Sequence, residues 1–227
     1  MKNHLSFFIF SVVLLISMVS CNNDSNTNTS EIKFDSVPSK KVIELSEHEA
    51  LILNRFFTSF SEIYLPEFSN KQVSDSVLIQ FGVHYNYRHN YNAFKQIKAS
   101  SQASISEKVV ADTAFKFMGV TIKKHRSIDE IEFKNKNYII DNADGEAYRF
   151  SQVLEMTDLG NNLYSATIEI FIVGSGFTGD INASPETWNS DENEEGIPDS
   201  EGKMKAIIRK IEGDGNVRYV LVEYLKN

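Results

Sequence analysis

Cysteine is almost absent: Cys21 is the only one in 227 residues, so no disulfide can form within the chain and the fold must rest on an ordinary core. Cations are also in short supply, with 23 Lys and Arg against 31 Asp and Glu and a formal net charge of −8. Phosphate backbones are bound by clustered Lys and Arg, so this balance excludes nucleic acid as a partner. The one basic cluster, Lys123-Lys124-His125-Arg126, reads as a solvated connection. No G-x-S-x-G elbow and no evident carboxylate couple occur, so no catalytic residue is assigned. No internal repeat marks a solenoid. Missing too is an apolar run long enough to cross hydrocarbon: Leu5 to Val19 supplies fifteen residues, whereas a spanning helix needs ~20.

That short run has a telling setting. Lys2 opens a charged head before it, Ser20-Cys21 close it, and Asn22, Asn23, Asp24 and Ser25 follow at once. This order of parts is that of an export signal with a lipid attachment point. Met18-Val19-Ser20-Cys21 resembles a bacterial lipobox, with Met18 standing where Leu is usual. The resemblance implies that residues 1–20 are removed and that Cys21 carries a thioether-linked diacylglycerol and usually a third acyl chain. The lipid bilayer would then be the first partner, each buried methylene contributing ~0.8 kcal/mol. Asn22, where a retention signal would have Asp, points to the outer membrane. Loss of Lys2 with the leader makes the mature chain one charge more negative.

Residues 21–44 combine the acylation site with a polar stretch that cannot bury enough surface to offset chain entropy, and they read as a flexible tether with a reach of ~25 Å. Residues 45–227 read as one domain. Ser46 and Glu49 form a capping box with Leu45 as staple, and Ile52, Phe56, Phe60 and Ile63 recur at helical spacing before Pro66. A second helix is capped by Ser74 or Asp75 and carries Val77, Leu78, Phe81 and Tyr85. Ser106 caps a third, which carries Val109, Val110, Thr113, Ala114 and Phe117 and stops at Gly119. After Asn135 the period turns to alternation. Strands are predicted over Tyr138–Asp141, Ala147–Met156, Leu163–Val173, Met204–Ile211 and Val217–Leu225, with hairpin connections at 158–161 and 213–216. Helices first and strands second predict an α+β fold, N-terminal helices packed on a C-terminal antiparallel sheet. Its element order resembles the cystatin-like and NTF2-like layouts.

Three motifs carry possible chemistry. Gly174-Ser175-Gly176-Phe177-Thr178-Gly179 matches G-x-G-x-x-G, but no helical pattern starts at the glycines and Asp180 would repel a pyrophosphate, so the motif reads as a strand exit. The stretch 174–202 holds eight acids and neither Lys nor Arg. Within it, residues 191–199 resemble the aspartate-rich calcium repeats of extracellular proteins, and Asp191, Asn193, Glu195 and Asp199 would supply oxygen ligands to calcium around a bend at Gly196. The same composition fits a solvated insertion between strands. Third, His84-Tyr85-Asn86-Tyr87-Arg88-His89-Asn90-Tyr91 is dense in recognition groups. His84 and His89 diverge by ~140° on a helix and cannot share an ion. His84 shares a face with Arg88, and Tyr87 with Tyr91 and Phe94, which makes His84, Arg88, Tyr87 and Tyr91 the candidate binding residues.

The expectation is a cell-envelope lipoprotein whose domain is a non-enzymatic binding or interaction module for an envelope protein or a small ligand. The alternatives are an envelope hydrolase and an inhibitor of a cell-wall enzyme that uses the acidic loop as a plug. A pocket lined by His84 or Arg88 would favour a small ligand.

Overall fold

The computed structural model describes residues 41–69, 73–142, 147–174, 176–188, 197–213 and 216–227. All of these belong to one unit, Pro38–Asn227. The expected leader, Cys21 and the tether up to residue 40 lie outside the described residues. Strand β1 (Lys41–Ile43) already pairs with residues 156–158, so the fold begins four residues earlier than the sequence pattern places it.

The helices start where their caps predict. Helix α1 (Glu47–Ser61) opens on a full capping box, the Glu49 amide donating to the Ser46 hydroxyl at 3.3 Å and the Ser46 amide to the Glu49 carboxylate at 3.0 Å. Helix α2 (Asp75–His89) is capped by Ser74, which accepts from the Val77 amide. Asp75 has a different use: its carboxylate accepts from the amides of Lys123 at 2.8 Å and Lys124 at 3.0 Å. Arg126 donates to Ser76 and His125 meets the Tyr138 hydroxyl at 2.7 Å, so the basic cluster is sewn to the start of α2 and to the strand beneath it. Helix α3 (Glu107–Met118) runs from its Ser106 cap to Gly119, whose φ of +67° ends it.

Strands and helices interleave more than the alternation pattern indicates. Short β2 (Lys95–Gln96) and β3 (Gln102–Ser106) precede α3. With β4 (Glu132–Lys134) and β5 (Asn137–Asp141) they form an antiparallel sheet in the order β2-β3-β5-β4. The second sheet takes long β6 (Ala147–Gly160), β7 (Leu163–Gly174), β8 (Asp199–Gly213) and β9 (Asn216–Lys226) in the order β1-β6-β7-β8-β9, all antiparallel. The fold is therefore α+β with two antiparallel sheets in place of the single one expected. The β6–β7 hairpin turns at Asn161 and Asn162, with φ of 55° and 60°, three residues beyond the predicted start of the turn; paired left-handed residues match the twist of the flanking strands.

The main core joins Leu53, Phe57 and Phe60 of α1, Leu78 and Phe81 of α2, and Val110 and Ala114 of α3 to the inner faces of both sheets. Each of the larger side chains among them contributes ~1.5–3 kcal/mol on burial. Helices α2 and α3 approach closely at Gly82, where an added Cβ would lie 2.6 Å from the Val110 carbonyl oxygen. Among the described residues, no helix is long and apolar enough to cross a membrane.

Helix α1 does a second job. Strand β1 pairs with β6 only at residues 156–158, so among the described residues the amides of β6 before that point meet no strand on that side. The Ser151 amide donates to Thr58 Oγ1 at 3.0 Å and the Val153 amide to Asn54 Oδ1 at 2.8 Å. Ser61 and Ser151 hydroxyls join at 2.9 Å. Positions four apart on a helix rise ~6 Å and alternate strand residues repeat every ~6.6 Å, so the polar side of α1 can stand in for a neighbouring strand.

The acidic connection between β7 and β8 is not wholly solvated. It holds a one-turn helix α4 (Pro185–Trp188), and Trp188 is 7% exposed, packed edge-on against Phe150 and Phe171 in a small second core. Gln152 donates to the carbonyls of Ile181 and Ala183 at 2.7 and 2.9 Å, fastening this connection to β6.

Candidate functional site

The candidate site forms where α2 faces the loop between α3 and β5. On α2, Gln80, His84 and Tyr87 stand at helical positions i, i+4 and i+7 and present one face. Opposite them lies a tight turn in which the Ile128 and Ile131 backbones exchange hydrogen bonds at 3.0 and 2.8 Å. The turn needs Asp129 at φ +42°, a left-handed value that Asp tolerates better than most residues. The end of β5 brings Ile140 and Asp141. Together these residues and Glu130 enclose a pocket of about 310 Å³, within the usual range of small-molecule sites.

The pocket has an apolar floor and an acidic rim. Ile128, Ile131 and Ile140 are buried, whereas Asp129, Glu130 and Asp141 are exposed. His84 is half-buried; burial, seconded by the Arg88 guanidinium, holds its pKa below the ordinary imidazole value, and Glu130 opposes this. At neutral pH the ring is therefore uncharged, with one nitrogen able to donate and the other to accept. Tyr87 offers a ring edge-on to Tyr91 at 5.3 Å and to Phe94 at 5.7 Å. Three carboxylates, a neutral imidazole, an amide and an aromatic ring around an apolar floor suit a small cation that also offers hydrogen bonds.

Of the four binding residues predicted from sequence, His84 and Tyr87 line the pocket. Arg88 is exposed beyond its lining and acts on it through the charge it places near His84. Tyr91 is tied elsewhere: its hydroxyl donates to Asn142 at 3.2 Å and also meets Gln96, which braces the end of β5. The acidic contributors escaped the sequence reading, because Asp129, Glu130 and Asp141 carry no local pattern and reach His84 only through the tertiary fold.

The two histidines part as their spacing requires. His89 Nε2 bonds to the carboxylate of Glu62, which is 2% exposed just past the end of α1, and the His89 ring lies 4.7 Å from that of Tyr85. This pair sits apart from the pocket lining.

Of the calcium candidates, Asp191, Asn193 and Glu195 lie outside the described residues. Asp199 opens β8 opposite Ile172 as an exposed strand residue. Among the described residues, no group of three His, Cys, Asp or Glu is placed to hold a metal ion. The glycine motif is a strand exit: Gly174 ends β7, the Phe177 amide returns to its carbonyl at 3.2 Å, and the next helix starts at Pro185. No protein-family model, no curated protein and no solved structure matches this chain.

Proposed function

We propose that the chain is an exported cell-envelope lipoprotein, held to the outer membrane through acylated Cys21, whose domain is a non-enzymatic binding module for a small organic cation. The observation that carries the binding reading is the His84 pocket: three acidic side chains around a ring that burial keeps neutral, so that the carboxylates outnumber the one nearby fixed cation, the Arg88 guanidinium outside the lining. The address rests on the Met18-Val19-Ser20-Cys21 lipobox resemblance and the short apolar run before it.

Titration calorimetry of the full chain against putrescine, choline and arginine tests the module. At least one of these amines binds, and Asp141→Asn or Glu130→Gln weakens it about tenfold, roughly the 1.4 kcal/mol of one charge-assisted contact. Affinity declines as His84 charges and repels the guest, which happens below the ordinary imidazole range because burial holds its pKa down. No binding by any of the three, or affinity indifferent to both variants, overturns the reading. Mass analysis of the protein from its own cell tests the address: a retained leader or an unmodified Cys21 thiol refutes it.

One observation favours a second reading, an envelope hydrolase. Buried Glu62 fixes the partly exposed His89 ring, the arrangement that orients a general base. Ester hydrolysis by the full chain that His89→Ala abolishes would establish it, and activity unchanged by that variant would end it.

A further inference from the structure

Between α1, α3 and β9 lies a groove of about 320 Å³, on residues that the His84 pocket does not use. Its walls are apolar and largely aromatic: Phe56 and Phe117 lie with their rings nearly parallel at 6.3 Å, and Tyr85 and Tyr219 flank them at 4.5 Å from Phe117 and 6.0 Å from Phe56. At its mouth Ile52 and Val217 are 44% and 54% exposed, an unusual position for two large aliphatic side chains. Single exposed apolar residues need no explanation, whereas two that open onto one aromatic channel do.

Arg55, Lys116 and Arg218 all line the groove, and among the described residues no Asp or Glu lines it, although Glu49 and Glu62 lie close enough to act on Tyr219 and Tyr85, on a chain whose net charge is −8. Arg218 is held in place, donating to the Lys116 carbonyl at 2.7 Å. The Lys116 ammonium stands 5.5 Å from the Phe117 ring centre. Neither Arg55 nor Lys116 has a carboxylate partner among the described residues. Three cations over an apolar trough call for a guest with an anionic head and a hydrocarbon body.

We propose that this groove binds a fatty-acyl carboxylate, its chain lying between Phe56, Phe117 and Tyr219 and its head among Arg55, Lys116 and Arg218. A linear tail suits the apolar walls behind the aliphatic pair at the mouth, and one carboxylate matches the Arg55 guanidinium and the Lys116 ammonium, which have no carboxylate partner among the described residues. The site is independent of the His84 pocket, and either can fail alone.

The test is calorimetry of the full chain with decanoate, decanol and decylamine, each below its aggregation threshold, so that one tail carries an anionic, a neutral or a cationic head. Decanoate binds at least tenfold tighter than decanol, and decylamine weakest. Arg55→Gln combined with Lys116→Gln lowers decanoate affinity about tenfold and leaves decanol unchanged, which also reports an intact trough. Ile52→Glu, at an exposed position, abolishes decanoate binding, while Asp141→Asn leaves it unaltered. Equal affinity for the three heads overturns the proposal, as does indifference to the paired substitution. A chain that sediments as a dimer and is dissociated by Ile52→Glu overturns it in favour of self-association, and decanoate-competed binding that occurs only on anionic vesicles overturns it in favour of a membrane surface.

Discussion

Replacing Thr58 by Val isolates the bond between α1 and the uncovered flank of β6. Valine keeps the branched shape and removes the oxygen that accepts from the Ser151 amide at 3.0 Å. Ser151 is 1% exposed, so water cannot replace the lost acceptor, and an orphaned buried N–H costs ~1–3 kcal/mol. The additional methyl returns up to ~0.8 kcal/mol. The net expectation is a loss of about 1–2 kcal/mol, which for a unit of this size lowers Tm by about 2–8 °C. Thr58→Ser keeps the oxygen and loses only the methyl, so its cost stays below ~1 kcal/mol. Denaturant titration of both variants gives the difference, and hydrogen exchange at the Ser151 amide locates it: exchange accelerates in the Val variant alone. Asn54→Leu repeats the experiment two strand residues away, on the Val153 amide bonded at 2.8 Å. If Val and Ser at position 58 prove equally costly, and the Ser151 amide stays protected in both, α1 does not stand in for a strand and the reasoning is wrong.

Gly82→Ala gains helix propensity of ~1 kcal/mol, yet its Cβ would meet the Val110 carbonyl oxygen at 2.6 Å. Overpacking between α2 and α3 outweighs that gain, and thermal melting shows a net loss of about 1–2 kcal/mol. Trp188→Ala empties the centre of the second core and releases the indole N–H bonded to the Asp180 carbonyl at 2.9 Å. The β7–β8 connection then becomes the first site of proteolytic cleavage, with a stability loss of about 3 kcal/mol at most because this core is small and peripheral. Burial lowers the His84 pKa in the folded state, so the unfolded chain binds the proton more readily. Stability is accordingly full above about pH 6.5 and declines as pH falls below it toward the folded value. His84→Gln flattens that part of the curve relative to wild type in paired melts between pH 7.5 and pH 5; parallel curves would show that the ring does not titrate differently on folding.

What could be read from sequence was what chain neighbours decide. Ser46 with Glu49, Ser74, Ser106 and Gly119 announce helix ends through contacts within four residues, and all four act as local chemistry dictates. The long hairpin arms showed in their β-branched residues, and an asparagine pair set the turn within three residues of the expected place. Short strands β2 and β3 left no comparable signal, since Lys95–Gln96 has no apolar alternation and Gln102–Ser106 alternates only small Ala103 and Ile105 with polar residues. Asn54, Thr58 and Ser61 gave no signal, because polarity on a helix says nothing about whether the partner is water or a strand. Ile52 failed in the opposite sense, fitting the buried period while facing the groove mouth. At the site, His84 and Tyr87 were visible as a dense polar-aromatic run, but the acids opposite them arrive from about fifty residues away and could not be paired with them beforehand. The acidic connection misled by composition: its charge count concealed Trp188, which buries its ring in the second core.

The flank of β6 that α1 covers has a consequence for copies of this protein held close together. An open strand edge invites another chain to add itself, and successive additions build fibres. Here Asn54 and Thr58 occupy the amides that such an addition would need, and Phe68 exchanges backbone hydrogen bonds with Tyr224 at 2.8 Å on the outermost strand at the opposite side. Both margins of the larger sheet are thus interrupted at these positions from within the same chain, which hinders a second copy from pairing there along its edge.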